Sequence, residues 1–433
     1  MASPILWQNV DETVTLLDVP RSIAAAQGTL QQPCHDHLLS VAALQAPFPS
    51  NEPKSAAAKA KLAIDPLEQA RHDAYAVVLE QALLEVHGNH SGHWCLPRPF
   101  VQQTPRRIAK KRKRETGELE ATAVQSELGS AVQLGSPPGL PNDLLPDLAS
   151  SEGAGSKLYQ WKPPGSIEES RDLPKKSELH ANIRDICEVM EVSAVATADT
   201  YIFRSPPQST FLLGDCSNNA ISQGYVLGNA RPLKSCEAFD FILLDPPWPS
   251  RSVRRTHKTA GSTYDTVSTL ADMRILFQKM ALNTLMADTC LVGMWITNKA
   301  AVRELVLGRN GIFASWGVDL VEEILWLKTT IHGEPVTPLD ALWRKPYEVL
   351  LLGRKRGIQT TPTPAVVVKR RVIISVPDLH SRKPCLKTMI KRYVPDDEYR
   401  VLEVFARHLV AGWWSWGNEC IKFNWEGYWR SAT

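Results

Sequence analysis

Residues Phe239-Asp240-Phe241-Ile242-Leu243-Leu244-Asp245-Pro246-Pro247-Trp248 decide how the chain is to be read. A short apolar run closed by an acid and two prolines predicts a buried strand that stops at Asp245. In open α/β sheets the carboxyl ends of the strands form the ligand-binding edge, so Asp245 is expected there. Proline fixes its own φ and restricts the residue before it. The Asp245 carboxylate and the Pro246 carbonyl are thereby presented as a rigid pair of acceptors, with Pro247 extending the turn. An exocyclic aromatic amine needs such a pair, because its lone pair is delocalised into the ring. Two acceptors can hold both N–H groups, favour a tetrahedral nitrogen and aim its lone pair at a methyl donor. Trp248 offers a flat face on which an unstacked base could lie. The alternative reading is an ordinary Pro-Pro turn after a strand, with a capping aspartate.

Around this segment apolar runs alternate with amphipathic ones. Strands are expected at Phe211–Leu213, Phe239–Leu244, Cys290–Ile296, Val321–Lys328, Val349–Leu352, Val401–Phe405 and near Trp413–Trp416. Helices are expected at Thr269–Leu285, Ala300–Leu307 and Cys385–Tyr393. Strands alternating with helices predict an α/β sheet covered on both faces. Further upstream, Asp65-Pro66 followed by Leu67, Ala70, Ala74, Val77, Val78, Leu84 and Val86 predicts an amphipathic helix with an aspartate cap.

The chain has 433 residues, 43% hydrophobic and 22% charged, which suits a globular protein of one large or two smaller domains. A net charge of +3 says little about partners; its distribution says more. Arg106-Arg107-Ile108-Ala109-Lys110-Lys111-Arg112-Lys113-Arg114 is a dense basic tract in a Pro-, Gly- and Ser-rich stretch. It is expected to be a nuclear import signal or a nucleic-acid arm. Three parts follow: an accessory region at 1–100, a disordered basic and Pro-rich linker at 101–155, and the main domain at 156–433. The eight cysteines form no C-x-x-C pair, so no metal site and no disulfide framework is expected. No apolar run is long enough to span a bilayer, and no membrane association is expected.

From about Phe211 to Asn424 the chain resembles the eukaryotic nucleic-acid adenine-N6 methyltransferases. The blocks occur in that family's order: Leu213-Gly214-Asp215-Cys216, FILLDPPW, YDTVSTLADM, LVGMWITN, EEILWLKT, KPYEVLLLGR, HSRKP, VLEVFAR and WGNE. The missing Cys-His zinc-finger pair and the long N-terminal extension resemble the branch called methyltransferase-like protein four. The resemblance implies a Rossmann-like methyltransferase sheet with a permuted motif order, in which Arg400–Phe405 forms the later cofactor-cradling strand. Ala406-Arg407 stands where bacterial relatives have a glycine-rich turn.

It further implies S-adenosylmethionine as cofactor and S-adenosylhomocysteine as product, with Asp245 beside the cofactor. Asp215 and Cys216 would meet the cofactor's adenine end, and Lys383 its methionine carboxylate. Arg407 would reach the ribose, with Asn418 and Glu419 completing the nucleoside pocket. Tyr264, Trp326, Lys328 and Glu348 would line the entrance for the target base, although Trp326 reads equally well as core.

The loop cations Arg251, Arg254, Arg255, His257 and Lys258 are expected to contact phosphate. Arg344-Lys345, Arg354-Lys355-Arg356 and Lys369-Arg370-Arg371 are expected to extend that basic rim. A target adenine must be unpaired to expose its amine in line, which favours RNA over DNA; the branch is associated with small nuclear RNA. A nuclear monomer is expected. The competing readings are a catalytically inactive RNA-binding scaffold, an enzyme that methylates amide nitrogens, and a nucleic-acid-binding module without chemistry.

Overall fold

A computed structural model describes residues 3–49, 65–100, 144–149, 159–162, 179–194, 199–217, 238–249, 269–341, 344–357, 368–379, 382–394 and 399–431. The N-terminal elements are β1 (Ile5–Gln8), β2 (Val14–Leu17), α1 (Val19–Ala26), β3 (His37–Leu38) and α2 (Pro66–Asn89). Then come α3 (Leu144–Ala149), β4 (Tyr159–Lys162), β5 (Leu179–Ala181), β6 (Glu188–Ala194), β7 (Thr200–Ser205) and β8 (Thr210–Leu213). The middle of the chain gives β9 (Phe239–Leu244), α4 (Leu270–Met280), β10 (Met286–Ile296), α5 (Ala300–Leu307), α6 (Ile312–Ser315) and β11 (Val318–Lys328). Last come β12 (Tyr347–Lys355), β13 (Lys369–Ser375), α7 (Lys387–Ile390), β14 (Val401–Val404), β15 (Trp414–Gly417) and β16 (Trp429–Arg430).

Eleven strands form one sheet in the order β1-β2-β13-β11-β12-β10-β9-β14-β15-β8-β5. Pairing is mostly parallel; β1, β12 and β5 run against the rest. The expected α/β sheet with helices on both faces is present. Helices α2, α4, α5 and α6 pack on one face, α1 and α7 on the other. Local chemistry starts these helices as the sequence predicts. Asp18 and Asp65 cap α1 and α2, each with proline in the first turn, and Thr269 and Asp272 form a reciprocal capping box on α4.

From β9 the chain moves to β10 on one side. Strand β14 later returns to the other side of β9, and β15 continues outward from it. The crevice between the ends of β9 and β14 is therefore a topological switch point, where open α/β sheets bind ligands.

The N-terminal hundred residues are continuous with this sheet. Strand β2 pairs in parallel with β13, and β1 forms the edge beyond it. Helix α2 is fixed through buried polar contacts. The Tyr75 hydroxyl donates to Glu323 at 2.8 Å, and Glu323 also takes Arg303 and, at 3.1 Å, Arg370. His72 meets the Tyr347 hydroxyl at 2.5 Å. Within the expected linker, α3 buries Leu144 and Leu145 against β6 and β7. Too apolar-poor to fold alone, that stretch borrows a surface. The basic tract 106–114 lies outside the described residues.

Removing the Tyr75 hydroxyl leaves a buried acceptor short of one donor, so Tyr75→Phe should lower unfolding free energy by about 1–2 kcal/mol. Glu323→Ala strands two cations and should cost about 3 kcal/mol or more. Urea unfolding of the two variants checks both values and their order.

Candidate active site

The parallel strands deliver the expected site residues to one edge. Asp245 follows β9, Asp215 and Cys216 follow β8, Arg407 follows β14, and Asn418 and Glu419 follow β15. Lys328 ends β11. Glu348 belongs to the same edge because β12 runs backwards. Lys383 arrives on the segment between β13 and α7.

At the centre, Lys383 Nζ lies 3.3 Å from Asp245 and 3.0 Å from Glu348, and Glu348 also pairs with Lys328. Burial opposes the charge on Lys383, but Asp245 and Glu348 outweigh it and hold the ammonium above its ordinary pKa. Burial likewise opposes the Glu348 carboxylate, and Lys328 and Lys383 nonetheless hold it well below the carboxylate range. The expected pairing of Lys383 with a methionine carboxylate would thus compete with two carboxylates of the chain itself.

The acceptor pair is present with one amendment. The Pro246 carbonyl accepts the Trp248 backbone N–H at 2.8 Å, leaving its second lone pair for an amine. The Trp248 ring does not face the crevice. It is 9% exposed, packs against Phe277 and donates its indole N–H to the Trp295 carbonyl at 2.8 Å. The ring anchors the turn to β10 instead of offering a stacking face. Trp326 is core, with its indole N–H on Ser375 and its ring edge-on to Trp295.

On the α1 and α7 side, the crevice is lined by Leu243, Asp245, Trp295, Lys383, Glu403 and Phe405, and deeper by Arg382, His408, Trp413 and Phe423. Sequence reasoning passed over Trp295, Glu403 and this inner group. A lone glutamate inside the apolar run Val401–Phe405 was the available signal. Burial, with Asp245 nearby, pushes the Glu403 carboxyl up to about 8. Phe405 occupies the place of the missing glycine turn with φ +60°, a left-handed conformation rare for a bulky residue and worth about 1–3 kcal/mol of strain. Gly417 lies alongside; a Cβ there would stand 3.3 Å from the Phe405 Cα.

At the nucleoside end, Asp215 holds its own loop through Ser217, and Cys216 is buried with its thiol pKa pushed up, chiefly by desolvation. Glu419 pairs with Arg407 at 3.3 Å and Lys422 at 2.7 Å.

The expected basic rim is corrected in part. Arg354-Lys355-Arg356 and Lys369-Arg370-Arg371 stand at the opposite edge, where β12 ends and β13 begins. There they brace the sheet: Arg354 and Lys355 donate to the Thr289 and Met286 carbonyls, while Arg356, Arg370 and Arg371 pair with Asp319, Glu323 and Glu322. Arg344 and Lys345 remain on the active edge. Arg251, Arg254, Arg255, His257, Lys258 and Tyr264 lie outside the described residues.

The MT-A70 family model matches residues 239–419. The chain is 31% identical over 454 aligned residues to the N6-methyladenosine RNA methyltransferase MTA1 of Pyricularia oryzae, covering 100% of this chain and 98% of that protein. The chain belongs to the MT-A70 family of N6-adenine methyltransferases. To MTA1 of Cryphonectria parasitica it is 44% identical over 192 residues, covering 44% of this chain and 54% of that protein. To the N(6)-adenine-specific methyltransferase METTL4 of Homo sapiens it is 33% identical over 356 residues, covering 73% of this chain and 70% of that protein.

MT-A70 methyltransferases use S-adenosylmethionine, and the residues of this crevice fit that cofactor. It offers acids for an ammonium, a Trp295 face for a sulfonium, and an Arg407–Glu419 pair for ribose hydroxyls. Buried His408 Nε2 and Trp413 Nε1 are without a hydrogen-bond partner among the described residues. Among the described residues no cluster suits a metal ion, and no helix is long and apolar enough to cross a membrane.

Glu403 binds its proton more tightly folded than unfolded, so wild-type stability falls as pH rises from about 4.5 to about 8. Glu403→Gln cannot ionise. Its stability relative to wild type should climb across that window and stay flat below it, as read by thermal unfolding at a series of pH values.

Proposed function

We propose that this MT-A70 protein transfers the methyl group of S-adenosylmethionine to the N6 amine of an unpaired adenine in RNA, most specifically small nuclear RNA. We further propose that it acts in the nucleus as a monomer and releases S-adenosylhomocysteine. The observation that carries the reading is the Asp245 and Pro246 acceptor pair at the switch point, joined by Lys383 to Glu348 on the neighbouring strands. An inactive scaffold would not need that arrangement. RNA is favoured by the cost of unpairing duplex DNA and by the printed function of the MTA1 relatives. The basic tract at 106–114 supports nuclear import.

Bound S-adenosylmethionine supplies an electrophilic methyl on a sulfonium centre. Asp245 and the free lone pair of the Pro246 carbonyl accept the two N6–H groups and orient the nitrogen. The N6–methyl bond forms as the sulfur–methyl bond breaks, and the Asp245 carboxylate is placed to take the proton that nitrogen must lose. Lys383 is a positioning residue that holds Asp245 and Glu348 in one plane of charge. Lys328 and Glu348 flank the base entrance. Asp215, Cys216, Arg407, Asn418 and Glu419 face the opposite, nucleoside-binding end. Most of the rate then comes from orientation and fixed charge.

Methyl transfer from labelled S-adenosylmethionine to matched RNA and DNA oligonucleotides tests the reading. Wild type should label RNA as N6-methyladenosine. Asp245→Ala should lower kcat by about 10³-fold while the cofactor still binds. Absence of transfer to either polymer, with both ligands bound, would sink it.

A further inference from the structure

Lys383 is the expected partner of the cofactor's carboxylate, yet two internal carboxylates already hold it at 3.3 and 3.0 Å. Behind it, the same crevice is lined by Arg382, His408 and Trp413, which are 2%, 7% and 2% exposed. Four of their polar atoms are buried and have no hydrogen-bond partner among the described residues: Arg382 Nε and Nη2, His408 Nε2 and Trp413 Nε1. The guanidinium is held by Asp378 at 2.5 Å and by the Leu39 carbonyl at 3.0 Å, and it lies over the Phe423 ring. Buried donors left unsatisfied cost free energy, and three side chains converging on one crevice make a receptor for an acceptor-rich anion.

We propose that Arg382, His408 and Trp413 form the pocket for the methionine carboxylate of S-adenosylmethionine, leaving Lys383 to position Asp245 and Glu348. The inference rests on the methyltransferase reading. A planar carboxylate has about four lone-pair sites, enough for guanidinium, imidazole and indole donors together. His408 contributes as a neutral donor, since burial and then the Arg382 charge push its pKa down to about 4.

Calorimetric binding of S-adenosylhomocysteine and of its decarboxylated analogue, S-adenosyl-3-thiopropylamine, tests this without turnover. The ratio of the two affinities isolates the carboxylate, and a misfolded variant would lose both ligands together. Wild type should prefer S-adenosylhomocysteine. His408→Leu and Trp413→Phe should each cut that preference by about 10-fold, the worth of one hydrogen bond to a charged group. Lys383→Met should keep the preference while losing methyl transfer. Lys383→Met erasing the preference, or all three variants retaining it because ordered water satisfies the donors, would overturn the assignment. Failure of wild type to bind either ligand would instead overturn the methyltransferase reading itself.

Discussion

Lys383 stands between Asp245 at 3.3 Å and Glu348 at 3.0 Å, and Glu348 also holds Lys328. Charges this far from water persist only when paired, and removing one partner leaves the others uncompensated. The chain of four charges therefore fixes the relative heights of β9, β11 and β12 and of the segment leading into α7. Asp245 is in turn set by the Pro-Pro turn, which Trp248 fastens to β10 through the Trp295 carbonyl. With that edge fixed, the ends of β14, β15 and β8 have only one side of the crevice left to occupy.

Much of this was legible in the sequence. The run Phe239–Leu244 is β9, and the runs behind β8, β10, β11, β12, β14 and β15 were found within a few residues, because apolar stretches bounded by Pro, Gly or charge leave little ambiguity. Strands β1, β2 and β13 were missed. The first two are short edge strands, and Lys369-Arg370-Arg371 disguises the start of β13 as a surface cluster. Charge sign does not tell which end of a strand a residue occupies. Direction decides that, and β12 turned two expected phosphate contacts into braces on the far edge. The helix expected at Cys385–Tyr393 is only the single turn α7, since the segment is held by Ser22, Gly28 and Ala411 instead of by its own repeat.

Aromatic residues were the hardest to place. Trp248 and Trp326 look like base-stacking surfaces in sequence and are core in the fold, whereas Trp295 reads as core and lines the crevice. A tryptophan has an apolar body and one N–H, so its role depends on where that N–H finds an acceptor. Those of Trp248 and Trp326 find the Trp295 carbonyl and Ser375. Sequence spacing carries no record of such long-range partners.

The left-handed Phe405 has a bearing on how this crevice can evolve. Most catalytic loops of this kind can drift in sequence, because glycine pays the conformational cost for their neighbours. Here a bulky residue sits in the strained conformation, with Gly417 packed 3.3 Å from its Cα by any added Cβ. Substitution at either position must be answered at the other. The pair behaves as one inherited unit, and a lineage that acquires glycine at 405 gains slack at 417 before any gain or loss at Asp245 is tried.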